Sequence, residues 1–312
     1  MTTPIRIGTR ESRLAIWQAG EVQKKLLANG YHSELVYIKS EGDIDLSTPL
    51  YEMGVQGIFT RSLDAALLAN RIDVAVHSMK DVPTQLPPGI VQAAVLPRGV
   101  VNDLVVFKHN AAFMNDHEGV ADVATSSIRR RAQWLHRYPN HRIHNLRGNM
   151  QTRLEKLYRE KWDAAIFAQA GLQRIDLRPE NSIELDWMLP APAQGAVVVV
   201  ARQNDAKVLE ACSTFNDRDT ALCTHVERSF LRGVLGGCST PVSALATIRQ
   251  GMVHFKGNMY SPDGKTKAEI ENKAPVADSS ELGRKCAEEI LRNGGEEINR
   301  LIREQMNKIA SA

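Results

Sequence analysis

Arginine is concentrated in one stretch of this chain, and a carboxylate and a thiol stand in chemically suggestive places outside it. From Thr125 to Arg178 there are twelve Lys or Arg, ten of them Arg, against four Asp or Glu, a local balance of +8. Such a run is often a solvated face or a nucleic-acid patch. Arginine in place of lysine points instead to anions with shape, because the planar guanidinium meets a carboxylate or phosphate with two parallel hydrogen bonds. Within the run, Thr125-Ser126-Ser127 leads into Arg129-Arg130-Arg131, and Arg147-Gly148-Asn149 is followed by Arg153. Two helix starts bearing arginine suit an extended polycarboxylate better than a single phosphate.

Asp81 follows Lys80 just beyond an apolar run, with Pro83 two residues on. Its plain reading is a turn or capping aspartate. Its chemical reading is a carboxylate that faces a cation-rich cleft, where it stabilises developing positive charge or takes a proton. Cys238 lies in Leu235-Gly236-Gly237-Cys238-Ser239-Thr240-Pro241. Paired glycines leave a side chain at a loop tip uncrowded, and a thiolate there is a nucleophile. No His or Lys adjoins it in sequence to activate it, and a small buried hydrophobe is the plain alternative.

The elements that must hold these groups alternate. Ile5–Gly8 reads as a strand before a helix over Ser12–Ala28, and Ile72–Val76 as a strand ending at His77-Ser78-Met79-Lys80-Asp81. Val120–Ala124 leads to a helix through Arg131, Trp134 and Leu135. Arg142–Leu146 precedes a helix over Gln151–Arg159, and Asp163–Ala168 ends at Gln169-Ala170-Gly171. Strand–helix alternation of this kind predicts α/β architecture with mainly parallel sheets. The polar motifs fall at the carboxyl ends of the strands, where open α/β sheets bind ligands and helix N-termini offer free N–H groups. Ser and Thr at such places are also ordinary helix caps.

After about Thr220 the pattern changes to a helix near Ala221–Leu231, alternating strands such as Met252–Met259, a hairpin turn at Pro262-Asp263-Gly264 and a closing helix over Ser280–Asn293. Turn-rich breaks at Leu96-Pro97-Arg98-Gly99 and Leu189–Gly195 bracket a second α/β segment inserted into the first. The expected organisation is domain 1 over 1–98 and 201–217, domain 2 over 99–200, and a small α+β domain 3 over 218–312.

The 312 residues are 43% apolar and 24% charged with a formal net charge of +3, which excludes a disordered chain, a fibrous repeat and a disulfide-stapled miniprotein. The longest wholly apolar run, Ala196 to Ala201, is far short of a membrane span. The first twenty residues carry Arg6, Arg10, Glu11 and Arg13 and no signal-peptide pattern, so a cytoplasmic location is expected. Cys212, Cys223, Cys238 and Cys286 form no C-x-x-C pair, and His136, His141 and His144 lack metal-site spacing, so no metal is assigned. There is no Walker loop and no G-x-G-x-x-G fingerprint.

Taken in order, the motifs resemble the porphobilinogen deaminase (hydroxymethylbilane synthase) family. They are Ile7-Gly8-Thr9-Arg10 with Ser12, Asp73-Val74-Ala75-Val76-His77-Ser78-Met79-Lys80-Asp81-Val82-Pro83, Thr125-Ser126-Ser127-Ile128-Arg129-Arg130, and Leu146-Arg147-Gly148-Asn149 with Arg153. Ala170-Gly171-Leu172 with Arg174, Pro192-Ala193-Gln194-Gly195-Ala196, Glu227-Arg228 and Gly236-Gly237-Cys238 complete the set.

The resemblance implies two domains like type II periplasmic binding proteins plus a small C-terminal α+β domain. It implies a dipyrromethane cofactor joined by a thioether to Cys238. Four porphobilinogen units are then added head to tail, each losing ammonia to leave an electron-poor azafulvene, and hydrolysis releases hydroxymethylbilane. Asp81 takes the catalytic place. Lys80, Ser78, Thr125, Ser127, Arg129, Arg130, Arg147 and Gly171 take cofactor-binding places, and Arg10, Ser12, Arg153, Arg174, Gln194 and Arg61 substrate-binding ones. The expected protein is a cytoplasmic monomer without nucleic-acid, membrane or obligate protein partners. Gln56 stands where relatives commonly have lysine, which leaves Arg61 as the expected cation of the 43–62 segment. The competing reading is an organic-anion-binding protein of periplasmic-binding-protein type, for which neither Cys238 nor Asp81 is required.

Overall fold

A computed structural model of the chain describes residues 3–39, 60–234 and 240–310, with side chains through 305. The chain runs β1 (Ile5–Thr9), α1 (Arg13–Ala28), β2 (Ser33–Tyr37), α2 (Arg61–Leu68), β3 (Val74–Ser78), a 3-10 turn Met79–Asp81 and β4 (Ile90–Val95). It continues through β5 (Asp103–Phe107), β6 (Asp122–Ala124), α3 (Ile128–Arg137), β7 (Arg142–His144), α4 (Met150–Arg159), β8 (Ala164–Ala168), α5 (Gln169–Gln173) and β9 (Ser182–Leu185). Then come β10 (Val197–Arg202), α6 (Ala206–Ser213), α7 (Arg218–Gly233), β11 (Val242–Arg249), β12 (Met252–Tyr260), β13 (Lys267–Pro275), α8 (Leu282–Ile290) and α9 (Glu296–Ala310). The described residues form two compact units, 3–39 with 60–100 and 194–222, and 101–193 with 223–234 and 240–310.

The first unit holds a five-stranded sheet in the order β2-β1-β3-β10-β4. Its first three strands are parallel, and β10 runs antiparallel to both β3 and β4. Ile7, Val74, Val76, Val197 and Val199 face a core filled from α1 by Ala19, Val22 and Leu26 and from α6 by Ala211 and Cys212. Helix α1 starts where it does because Ser12 caps it, its Oγ accepting from the Ala15 amide at 3.3 Å.

The second unit repeats this plan in the order β7-β6-β8-β5-β9, with β5 antiparallel to β8 and β9. The same unit carries the antiparallel sheet β11-β12-β13. Its β12–β13 turn closes with the Ser261 amide donating to Thr266 O at 2.9 Å. Gly264 in that turn has φ +76° and packs so closely on α3 that a Cβ would lie 2.5 Å from Ala132 O.

The α/β class, the two five-stranded sheets and the small C-terminal sheet agree with expectation. The sheets are mixed rather than mainly parallel, however. Strand β10 is laid down only after the chain has left the first unit and returned, so it enters from the opposite end, and β5 likewise opens its sheet before the parallel strands are built. Residues 197–200, grouped on sequence with 99–200, pair here with β3 and β4.

Candidate active site

Because β10 opposes β3, the carboxyl ends of β1 and β3 share a sheet edge with the start of β10. Arg10 and Ser12 follow β1 on that edge. Ser78 ends β3 opposite Val197, and its Oγ accepts from buried Gln18 Nε2 at 2.8 Å. The 3-10 turn then carries Lys80 and Asp81, tied down by the Met79 amide donating to Ala196 O at 3.0 Å. Lys80 Nζ donates to Gln194 Oε1 at 3.2 Å. Asp81 is half-buried, and its carboxylate makes no hydrogen bond or ion pair with another described residue.

Gln194 is 1% exposed and is held by an unusual stretch of backbone. Ala193 before it has φ +60° and Gly195 after it φ +86°. At Gly195 a Cβ would come within 2.7 Å of Val100 O, so only glycine fits. Arg98 Nε donates to Gln194 O at 3.0 Å and the Gly99 amide to Gly195 O at 3.1 Å. Alanine in the left-handed region is strained, and strain of this kind collects at functional sites.

His77, one residue before Ser78, is buried in β3. Burial, and secondly the charge of Arg10, push its imidazole down to a pKa of about 4. It is therefore neutral at pH 7, and Arg10 and Lys80 bring positive charge to this edge. Arg61 is exposed at the start of α2.

In the second unit the equivalent edge gathers the starts of α3, α4 and α5. Buried Thr125 accepts on Oγ1 from the Ser127 amide at 3.2 Å, and Ser127 caps α3 through the Arg130 amide at 3.4 Å. Arg147 is buried after β7. Asn149 caps α4 by accepting from the Thr152 amide at 3.0 Å, and Arg153 Nε donates to Gly148 O at 2.7 Å. Gly171 is buried in α5 just after β8, and half-buried Arg174 ends that helix, its pKa lowered by burial.

Arg129 and Arg130 were expected to point at ligand carboxylates, and the structure gives them an internal partner first. Both guanidiniums meet Asp103, the first residue of β5, whose side chain is fully buried. Arg129 Nη2 lies 2.6 Å from one carboxylate oxygen, and Arg130 Nη2 lies 2.8 Å from the other. Two positive charges against one negative leave the trio cationic.

Sequence reasoning missed Asp103, although an acid at the head of a valine-rich buried strand is a signal in itself, since it must find a cation. Glu227, given no role in the Glu227-Arg228 motif, is a buried α7 carboxylate that accepts from the amides of Ala193 at 2.6 Å and Ala246 at 2.7 Å. Cys238 lies outside the described residues, as does 43–59 of the expected 43–62 segment. Among the described residues no helix is long and apolar enough to cross a membrane.

Comparison with known proteins gives these edges a context. Residues 5–210 match the family model "Porphobilinogen deaminase, dipyromethane cofactor binding domain", and residues 221–292 match "Porphobilinogen deaminase, C-terminal domain". Porphobilinogen deaminase of Paracoccus denitrificans is 42% identical over 293 residues, covering 92% of this chain and 93% of that protein. The protein of the same name from Syntrophotalea carbinolica is 40% identical over 301 residues, covering 95% of each. The chloroplastic porphobilinogen deaminase of Pisum sativum is 40% identical over 308 residues, covering 94% of this chain and 83% of that one. Among solved structures, a nutrient binding protein from Burkholderia cenocepacia bound to methionine superposes with a TM-score of 0.43 at 14% identity, covering 69% of this chain and 93% of that one.

Proposed function

The chain belongs to the porphobilinogen deaminase family, and we propose from that membership which of its residues carry the reaction. The protein is a transferase of tetrapyrrole biosynthesis with a dipyrromethane cofactor. It joins four porphobilinogen molecules head to tail with loss of ammonia and releases hydroxymethylbilane by hydrolysis.

The residues present fit such a cofactor. A dipyrromethane offers carboxylates and pyrrole N–H groups. Among the described residues, Arg129 Nε is buried without an acceptor and Gln169 Oε1, at the start of α5, is buried without a donor. Those orphaned atoms, together with the cationic Arg129–Arg130–Asp103 trio, complement an acidic ligand that also carries N–H groups. When bound, the dipyrromethane supplies the pyrrole α-carbon onto which the chain is built. In our reading the Cys238 sulfur anchors it by a thioether, and Ser78, Lys80, Thr125, Ser127, Arg129, Arg130, Arg147 and Gly171 hold it.

Arg10, Ser12, Arg153, Arg174, Gln194 and Arg61 receive the incoming substrate in this account. Each pyrrole adds two carboxylates, and their mutual repulsion would oppose chain growth unless fixed cations offset it. Asp81 supplies the opposite charge. Its carboxylate, unengaged by other described residues, accepts a pyrrole N–H and stabilises positive charge as ammonia departs. Lys80, held by Gln194, sets the turn that carries Asp81.

We further propose three domains, with 218–312 separate from the second sheet, a division supported by the gap between the two family-model matches at 210 and 221. A monomer working in the cytoplasm completes the reading. Cys212 and Cys286 are free buried thiols, which agrees with a reducing compartment.

The observation that carries the site assignment is the placing of Asp81, Lys80 and Gln194 on one sheet edge and of the arginines on the equivalent edge of the other unit. The test is turnover of porphobilinogen by the purified protein. Four ammonia are expected per hydroxymethylbilane, and substrate binding without ammonia release would instead favour the anion-binding alternative.

A further inference from the structure

Asp103 has no part in the reaction outlined above, yet it is 0% exposed at the head of β5. A carboxylate there loses its hydration, a cost that only good pairing offsets. Its Oδ2 accepts from Arg129 Nη2 at 2.6 Å, and its Oδ1 accepts from Arg130 Nε at 3.1 Å and Nη2 at 2.8 Å. Neutralising the carboxylate would take one arginine. Here two guanidiniums, 5% and 6% exposed, share it, and neither meets another carboxylate among the described residues. One buried positive charge stays uncancelled, an arrangement that is costly until an anion completes it. Burial, the largest influence, lowers the Arg129 pKa, as expected for a cation short of partners.

The tethers also set direction. Arg130 Nη1 donates to Ile166 O at 3.1 Å, and Arg129 Nη1 donates to Leu189 O at 2.8 Å. Each guanidinium plane is thus pinned at two points, so little side-chain freedom is left to lose when a ligand arrives. The first sheet uses the same topological place differently. There Gln194, just ahead of antiparallel β10, tethers Lys80 with a neutral amide, whereas Asp103, at the start of antiparallel β5, tethers two cations with a charge.

We propose that Asp103 is a positioning residue: it holds Arg129 and Arg130 as a preformed pair whose single residual positive charge grips a carboxylate of the pyrrole chain in a fixed orientation. This rests on the reading that the two arginines hold ligand carboxylates. Catalysis then depends on where Asp103 puts the guanidiniums, and affinity depends on their charge.

Two holoenzyme variants test it. Asp103→Asn keeps the shape and deletes the charge, and Asp103→Glu keeps the charge and shifts it by one methylene. Folding is checked by thermal unfolding and cofactor loading by intact mass. Each variant recovered loaded is expected to show kcat reduced by about 10- to 100-fold, the scale of an ångström-sized misplacement. KM for porphobilinogen should rise by less than about threefold, because neither variant removes an attracting positive charge. Wild-type kcat per loaded molecule with only a lower unfolding temperature would overturn the proposal. So would a raised KM at unchanged kcat, or failure of both variants to fold as holoenzyme. Arg129→Gln and Arg130→Gln separate the two layers. If these load and turn over like wild type, the reading of the arginines fails; if they are impaired while the Asp103 variants are not, only the role of Asp103 fails.

Discussion

Mild acid should weaken this protein through His77. The imidazole is 6% exposed in β3, and burial with the nearby Arg10 charge lowers its pKa from 6.5 to about 4. Above pH 6.5 neither the folded nor the unfolded chain is protonated there, and the full contribution to stability is present. As pH falls from 6.5 to 4 the unfolded chain takes a proton that the folded one refuses. Stability then drops by about 1.4 kcal/mol per pH unit, which amounts to about 2 kcal/mol at pH 5 and about 3 kcal/mol by pH 4. Below that both states are protonated and the loss stops.

His141, also buried and shifted downward, adds a loss of the same sign. The control is therefore His77→Leu, which keeps His141. Leucine sacrifices no hydrogen bond at His77 Nε2, which is buried without a partner among the described residues. Urea unfolding at pH 7 and pH 5 should show wild type losing about 2 kcal/mol more than the variant. Equal losses would mean that His77 is protonated in the fold and that the placement of Arg10 beside it is wrong.

Other perturbations probe the site itself. Asp81→Asn should leave unfolding within about 0.5 kcal/mol of wild type, since no other described residue depends on the carboxylate. Its turnover should fall by about 10²- to 10⁴-fold, and wild-type turnover would remove Asp81 from the mechanism. Gly195→Ala forces a side chain into φ +86° and against Val100 O. Denaturant titration should register a loss of about 2 kcal/mol or more, with turnover reduced because Gln194 shifts. A loss below about 0.5 kcal/mol would show that the backbone there relaxes freely.

Much of this arrangement can be read locally. Ser12, Ser127 and Asn149 cap α1, α3 and α4, and a cap is a property of a few adjacent residues. The alternation of apolar runs with helical stretches likewise gives the α/β class. Strand direction is another matter. Residues 197–201 form an apolar run with no feature that marks its direction, so nothing in it says that it enters antiparallel to β3.

The arginines show the sharper limit. Their number and spacing mark an anion site, but their first partner is Asp103, more than twenty residues upstream. Charge pairing across that separation is decided by sheet order, not by neighbours in sequence. The left-handed Ala193 is equally invisible in sequence, because alanine gives no sign of it and only the packing around Gln194 imposes it.

One measurement bears most directly on the whole account: the intact mass of the purified protein beside that of Cys238→Ser. Wild type should exceed its polypeptide mass by one two-pyrrole adduct, and the variant should show the bare polypeptide and make no tetrapyrrole. An active wild-type preparation at bare polypeptide mass, or a serine variant turning over at full rate, would contradict it.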